Sequence, residues 1–235
     1  DLVGFVMGGE VVLGNATARQ SWTIGRQLGV LVAAHILSPF GIRPILDQLT
    51  GVSPPVVDFS GADLSGIHVG PDNLFIHMTG MSDPAWQEVK NVGARVSIAF
   101  PIEMNMRHGQ PPILKMQSFR SSAFEPSLST DVETNMTADF FTQMRSAMTM
   151  QRMVVNQAVL DSGPIPVNPW PPFPANQPPL LNVRDVLRYA TINGAKHLRL
   201  DGKTGSLTPG KEADIIILDG THINVFPVNN VPGAV

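Results

Sequence analysis

The stretch Glu125-Pro-Ser-Leu-Ser-Thr-Asp131-Val-Glu-Thr-Asn-Met-Thr-Ala-Asp139-Phe-Phe-Thr-Gln-Met-Arg145 sets the pattern for the whole chain. A short strand-like run over residues 127–130 ends at an acid, Asp131. A polar loop follows, and an amphipathic helix begins at Asp139. An acid at the carboxyl end of a buried strand is where an α/β barrel places its catalytic groups. The stretch therefore predicts a strand–loop–helix unit with Asp131 on the functional edge.

Three earlier segments repeat this order of strand, polar residue, loop and helix, and two of their strands end in histidine. Val30-Leu-Val-Ala-Ala-His35 and Asn73-Leu-Phe-Ile-His77 are apolar runs, typical of parallel strands covered on both faces. A further strand is predicted over residues 94–100, and its polar, Met-rich exit is predicted to be a loop. Helices are predicted at residues 16–28, 42–49, 139–153 and 182–197, and between Ser82 and Gly93. This alternation predicts a parallel sheet.

The bulk composition limits the classes of partner. The chain has 235 residues, of which 43% are hydrophobic and 15% are charged, and its net charge is -3. These values do not favour a nucleic-acid or membrane partner, and the absence of cysteine excludes disulfides and thiolate metal sites. We therefore expect a globular protein, and we expect it to be cytoplasmic because no leader sequence is visible. A homo-oligomer is left open.

The number of strand–helix units is small for a barrel. About four to five units are visible, whereas a closed (β/α)8 barrel needs eight units and roughly 250 residues. The chain also begins at Asp1 and ends within a β-rich pattern. We therefore expect a fragment that lacks sequence at both ends, with a processed protein as the alternative.

Three stretches together resemble the amidohydrolase superfamily, in particular its cytosine deaminase-like and chlorohydrolase-like branch. They are residues 189–219, which run from Tyr189-Ala-Thr-Ile-Asn-Gly-Ala195 to Asp214-Ile-Ile-Ile-Leu-Asp219; Ser129-Thr-Asp131 with the helix after it; and the two strands that end in histidine. The resemblance implies an α/β fold. Residues 1–199 would form part of a (β/α)8 TIM-like barrel, strands 5 to 8, and residues 200–235 part of a small β-sandwich.

The resemblance also implies a metal-dependent hydrolase that cleaves an amide, urea or ring C–N bond of a small molecule with metal-activated water. His35 would be the strand-5 metal ligand, and Asp131 the strand-8 metal ligand and proton shuttle. His77 would contact the substrate or the attacking water, while Glu103 and His108 would line the substrate pocket. Imidazole and carboxylate suit one divalent metal, Zn²⁺ foremost with Fe²⁺ or Mn²⁺ as alternatives, which lowers the pKa of bound water.

Two departures from the family pattern bear on the reaction. No His-x-His pair occurs in the sequence, which we attribute to sequence missing before strand 5. Deaminases of this branch usually carry a glutamate three residues after the strand-5 histidine, where this chain has Ser38. That difference favours cleavage of an amide, urea or ring bond, unless Glu103 acts as the shuttle instead. Two alternatives stay open: a deaminase of a nucleobase-like or triazine-like ring, and a non-catalytic truncated barrel that serves as a binding or assembly module.

Overall fold

The structure is a computed structural model that describes residues 6–8, 15–36, 69–106, 110–118, 124–134, 136–161, 178–212, 214–228 and 230–234. In chain order the elements are β1 (Val6–Gly8), α1 (Asn15–Gln27), β2 (Leu31–Ile36), β3 (Asn73–His77), α2 (Asp83–Asn91), β4 (Arg95–Ile98), α3 (Phe100–Asn105), α4 (Ile113–Ser118), β5 (Ser127–Leu128), α5 (Phe140–Asp161), α6 (Val183–Ala190) and α7 (Ile192–His197). A 3₁₀ helix covers Val231–Ala234. None of the helices described is long and apolar enough to cross a lipid bilayer.

The five strands form one parallel sheet in the order β1-β2-β3-β4-β5. Ile36 pairs with His77 between β2 and β3, and Ile98 pairs with Leu128 between β4 and β5. Because every strand runs in the same direction, all the carboxyl ends lie along one edge of the sheet. The predicted α/β fold with a parallel sheet is confirmed, and the sheet brings the polar strand ends together.

The two faces of the sheet differ in burial. On β2, Val32, Ala34 and Ile36 are buried, whereas Ala33 and His35 between them are half-buried. Successive side chains of a strand point to opposite faces, so the first set faces the helices and the second faces the other side. The buried set belongs to a core that also contains Trp22, Phe75, Trp86, Val96 and Ile98. His35 therefore lies on the more open face of the sheet.

Strand β5 has two residues, and side chains from α7 fix its position. Asn193 Nδ2 donates a hydrogen bond of 3.0 Å to the carbonyl oxygen of Pro126. His197 Nδ1 lies 3.0 Å from Ser127 Oγ, and both side chains are buried. These contacts anchor the backbone that leads to Asp131.

The buried imidazole of His197 is expected to make stability depend on pH. Burial, with a smaller contribution from the nearby charge of Arg95, lowers the pKa of His197 from 6.5 to about 4. The unfolded chain therefore takes up a proton near pH 6.5 that the folded chain takes up only near pH 4. The stabilisation is complete above the unfolded pKa and is lost as the pH falls from about 6.5 to about 4, by on the order of 3 kcal/mol.

Urea unfolding over this pH range measures the effect. The difference in unfolding free energy between the wild-type protein and His197→Gln is expected to shrink as the pH falls. A matched substitution at the exposed His222, His222→Gln, is expected to leave the pH dependence unchanged. A constant difference between wild type and His197→Gln across the range would contradict the expectation.

Helix α6 begins with a capping box at Asn182. The Asn182 side chain accepts hydrogen bonds from the backbone N–H groups of Arg184 and Asp185, at 2.9 and 3.1 Å. In return, Asp185 Oδ2 accepts the backbone N–H of Asn182 at 3.0 Å. Three backbone donors at the helix start are thereby satisfied.

Replacing Asn182 with alanine is expected to lower the free energy of unfolding by about 1 kcal/mol, because the donors it satisfies lose their partner. Urea unfolding at neutral pH measures this change. Asn224 is exposed, and Asn224→Ala serves as the matched control with no such loss. Equal unfolding free energies for the two variants would argue against the capping role.

The structure corrects two helix predictions. Residues 101–112 were predicted as a loop, but residues 101–105 belong to α3, and α4 begins at Ile113. A helix of six residues is too short to show an apolar period, so the sequence pattern did not reveal either one. The helix predicted at residues 182–197 breaks at Thr191, whose φ of -126° and ψ of -94° are not helical. The helix predicted at residues 42–49 lies outside the described residues.

The strand predicted at residues 214–219 is also absent. These residues are in irregular structure, and the Ile217 side chain is 89% exposed. A strand needs a hydrogen-bonded neighbour, and none of the residues that the structure describes pairs with this run. The β-sandwich and the domain boundary at residue 200 stay predictions.

Candidate metal centre

Three predicted site residues converge at the carboxyl edge of the sheet. His35 lies near the end of β2, His77 ends β3, and Asp131 follows β5. One potential ligand atom from each lies within 4.8 Å of the others. The two imidazole rings are 5.5 Å apart between centroids, and His77 Nε2 is 3.2 Å from Asp131 Oδ2. The side chains come from three different strands, so only the folded sheet assembles the cluster.

The backbone at the end of β3 turns His77 towards His35. His35 on β2 lies beside Ile76 on β3. In a regular strand, His77 would therefore point to the face of the sheet opposite to His35. His77 instead has a φ of 72°, and Met78 donates its N–H to the carbonyl oxygen of Ile76 at 3.0 Å. This is a γ-turn with positive φ at its centre, a strained form. The turn breaks the alternation and places both imidazoles side by side.

Asp131 also adopts an uncommon backbone conformation. Its φ is 56°, in the left-handed region that aspartate tolerates better than most residues do. Its N–H donates to Ser129 Oγ at 3.1 Å, which closes a local turn. Non-glycine residues in this region cost on the order of 1–3 kcal/mol each and cluster at functional sites. The strain at His77 and Asp131 is consistent with a functional role for this edge.

Glu103 supports His77 from the far side of the ring. Its side chain is fully buried, with Oε1 3.0 Å from His77 Nδ1. Oε1 also accepts the backbone N–H of Ala99 at 2.9 Å, whereas Oε2 is buried and has no hydrogen-bond partner among the described residues. Burial raises the pKa of Glu103 to about 8, the hydrogen bond from Ala99 opposes this shift, and the charge of Asp131 adds to it. Glu103 thus belongs to the same polar cluster.

Glu103 was predicted to line the substrate pocket, and its contact with His77 was not predicted from the sequence. The structure buries the side chain behind the imidazole, so a direct contact with substrate stays a prediction. One signal was available: Glu103 is the only charged residue between Arg95 and Arg107 and follows the apolar run Phe100-Pro-Ile. His108, the other predicted pocket residue, lies outside the described residues, as does Ser38.

The donor set fits zinc. Imidazole nitrogen and carboxylate oxygen bind Zn²⁺ at about 2.0–2.2 Å, which puts tetrahedral ligands about 3.4 Å apart. His77 Nε2 and Asp131 Oδ2 already lie 3.2 Å apart, and the His35 ligand atom is within 4.8 Å of both. Small side-chain movements would therefore let the cluster hold one cation.

Comparison with known proteins agrees with this reading of the sheet edge. Residues 72–234 match the model of the family described as "Amidohydrolase family". The chain belongs to the amidohydrolase family. The matched region contains His77, Glu103 and Asp131, while His35 precedes it.

Three of the proteins to which this chain is similar are two deaminases and a chlorohydrolase. A 5'-deoxyadenosine deaminase of Methanosarcina mazei is 29% identical over 164 residues, which are 69% of this chain and 32% of that protein. A zinc-bound adenosine deaminase from Xanthomonas campestris has a TM-score of 0.70 at 20% identity, covering 94% of this chain and 44% of that one. An atrazine chlorohydrolase from Arthrobacter aurescens complexed with zinc has a TM-score of 0.67 at 16% identity, covering 92% and 42%. This amidohydrolase chain thus spans about a third of that curated relative.

Proposed function

We propose that this chain contributes His35, His77 and Asp131 to the active site of a metal-dependent hydrolase that cleaves a C–N bond of a small molecule. The observation that carries the proposal is the convergence of two imidazoles and one carboxylate at the carboxyl ends of neighbouring parallel strands. Barrel enzymes place their chemistry at this end of the strands. Membership of the amidohydrolase family supports the same reaction class.

Each residue has a proposed role. His35 and Asp131 would hold one divalent metal, Zn²⁺ foremost with Fe²⁺ or Mn²⁺ as alternatives. When bound, the metal would lower the pKa of a water molecule so that hydroxide is available near neutral pH. His77 would orient this water or the substrate through Nε2. Asp131 would accept the proton of the attacking water at Oδ2 and pass it to the leaving nitrogen.

The five-stranded sheet would be part of a (β/α)8 barrel, in which the strand of His35 is strand 5 and the strand before Asp131 is strand 8. Residues 1–199 would form this barrel part, and residues 200–235 would form part of a small β-sandwich. The fold likeness to the zinc-bound adenosine deaminase supports the barrel, at a TM-score of 0.70. The exposed apolar side chains of Ile215, Ile216 and Ile217 support a strand that is paired in the whole protein.

Deamination of an adenosine-like nucleoside is the second candidate. Curated relatives that match about two thirds of this chain are deaminases of 5'-deoxyadenosine and of 5-methylthioadenosine/S-adenosylhomocysteine. Ser38, in place of the glutamate that deaminases of this branch usually carry, favours cleavage of an amide, urea or ring bond instead.

One assay separates these reactions. The protein as encoded by its gene is stripped of metal, reloaded with Zn²⁺ and incubated with 5'-deoxyadenosine or with a cyclic ureide. Release of ammonia from the nucleoside would identify a deaminase, whereas uptake of one water by the ureide without ammonia release would identify a ring hydrolase. No Zn²⁺-dependent turnover of any C–N substrate would favour the non-catalytic binding or assembly module.

A further inference from the structure

The contact between Glu103 and His77 fixes which nitrogen of the imidazole carries the proton. Glu103 Oε1 accepts the backbone N–H of Ala99, so this oxygen presents lone pairs to its neighbours. His77 Nδ1 lies 3.0 Å from the same oxygen. A carboxylate has only acceptor atoms, so with Glu103 ionised the proton of this hydrogen bond lies on His77 Nδ1. The hydrogen bond from the backbone of Ala99 favours that ionised form.

This assignment leaves the second nitrogen of the ring as the functional one. In the neutral ring with a proton on Nδ1, Nε2 carries a lone pair. It faces Asp131 Oδ2 at 3.2 Å, with the side chain of His77 1% exposed. Two acceptors at this distance repel each other unless a cation or a proton lies between them. His77 Nε2 and Asp131 Oδ2 are thereby arranged to bind a cation or a proton on the open face of the sheet.

Two hydrogen bonds with Ala99 and a rigid first helical turn hold Glu103 in place. Glu103 lies on α3, which follows β4 directly, and its own N–H donates to the carbonyl oxygen of Ala99 at 3.1 Å. Its side chain returns to the N–H of the same residue, so Ala99 and Glu103 exchange two hydrogen bonds at the start of the helix. Pro101 restricts the backbone of this first turn. The carboxyl group is thus rigidly positioned against the neighbouring strand.

We infer that Glu103 is a positioning residue that holds His77 in the Nδ1–H tautomer and so directs Nε2 towards Asp131 and the reacting groups. The tautomer of His77 does not depend on the proposed function, whereas the role of Nε2 in the reaction rests on it. Full burial of Glu103 behind the ring favours this supporting role. Acidic or carbonyl partners on the second nitrogen of a functional histidine orient the ring in this way.

Long-range ¹H–¹⁵N NMR spectra of the metal-free protein, labelled with ¹⁵N-histidine, test the tautomer directly. The signals of His77 are assigned by their loss in His77→Gln. In the wild-type protein we expect a proton on Nδ1 and none on Nε2. Glu103→Gln keeps an oxygen acceptor and is expected to retain this tautomer, whereas Glu103→Ala is expected to shift His77 towards Nε2–H. The exposed Glu133 provides a matched control, Glu133→Gln, with no change.

The rate of hydrolysis provides a second readout. Glu103→Ala is expected to lower the kcat of the Zn²⁺-loaded protein 10–100-fold, and Glu103→Gln is expected to lower it less. If Glu103→Ala does not fold, Glu103→Met replaces it, because methionine has a similar length and no strong acceptor. An Nε2–H tautomer in the wild type, or an unchanged tautomer without the acceptor, would overturn the inference.

The inference and the proposed function can fail separately. An Nδ1–H tautomer in a protein that hydrolyses nothing would refute the proposed function and keep the role of Glu103. Zn²⁺-dependent hydrolysis in a protein whose His77 carries its proton on Nε2 would refute the role of Glu103 and keep the function. Glu103→Gln that loses hydrolysis while keeping the Nδ1–H tautomer would show proton transfer by Glu103 and overturn a purely positioning role.

Discussion

Replacing Asp131 with asparagine is expected to reduce hydrolysis about 10²–10⁴-fold, because the amide cannot accept the proton of the attacking water. Asparagine has nearly the same size and tolerates the left-handed backbone conformation, in which Asp131 has a φ of 56°. The loss should therefore come from chemistry with little change in stability. Steady-state rates of the Zn²⁺-loaded proteins, alongside urea unfolding of both, measure the two effects separately.

Asp139 supplies the matched control for this experiment. It lies on the same polar connection but is exposed, and its carboxylate accepts the N–H of Phe141 at the start of α5. Asp139→Asn preserves this cap and is expected to keep wild-type rates. An Asp131→Asn protein that turns over substrate as fast as Asp139→Asn would remove Asp131 from the proposed mechanism.

Replacing His35 with asparagine is expected to weaken Zn²⁺ binding by more than the 10–100-fold that a supporting residue contributes, because an imidazole in direct contact with the metal is lost. His35 is half-buried near the end of β2, so the change removes no large part of the core. Chelator competition gives the affinity, and the zinc content after dialysis gives the stoichiometry.

His222 is exposed and lies outside the cluster, so His222→Asn is the corresponding control. It is expected to bind zinc as the wild type does. If His35→Asn and His222→Asn retain the same affinity, the metal is held elsewhere and the assignment of His35 as a ligand is wrong.

The apolar strands were predictable because parallel strands carry a strong local signal. The run Asn73–His77 is predicted and observed with the same bounds, and β2 differs from its prediction by one residue at each end. Their continuous apolar side chains indicate parallel strands that are covered on both faces of the sheet. The missed elements lack such a signal, because α3 and α4 have six residues each. Pairing of residues 214–219 depends on a partner that a local pattern does not reveal.

The convergence of His35, His77 and Asp131 at one edge of the sheet was predictable, but its geometry was not. The positions of His35, His77 and Asp131 at or just after the ends of strands follow from the pattern of apolar runs, and the parallel sheet then brings the strand ends together. The orientation of His77 depends on a γ-turn with positive φ, which no residue type in the run signals. The hydrogen bond between His77 and Glu103 depends in turn on that orientation and on the unpredicted helix α3.

The most direct test of the central claim is anomalous X-ray diffraction at the zinc absorption edge from crystals of the Zn²⁺-loaded protein. We expect a peak at the carboxyl edge of the sheet, about 2.0–2.2 Å from an imidazole nitrogen of His35 and from a carboxylate oxygen of Asp131, with His77 Nε2 facing it. A peak bound by other residues, or no peak at this edge in protein shown to contain zinc, would contradict the proposed metal centre.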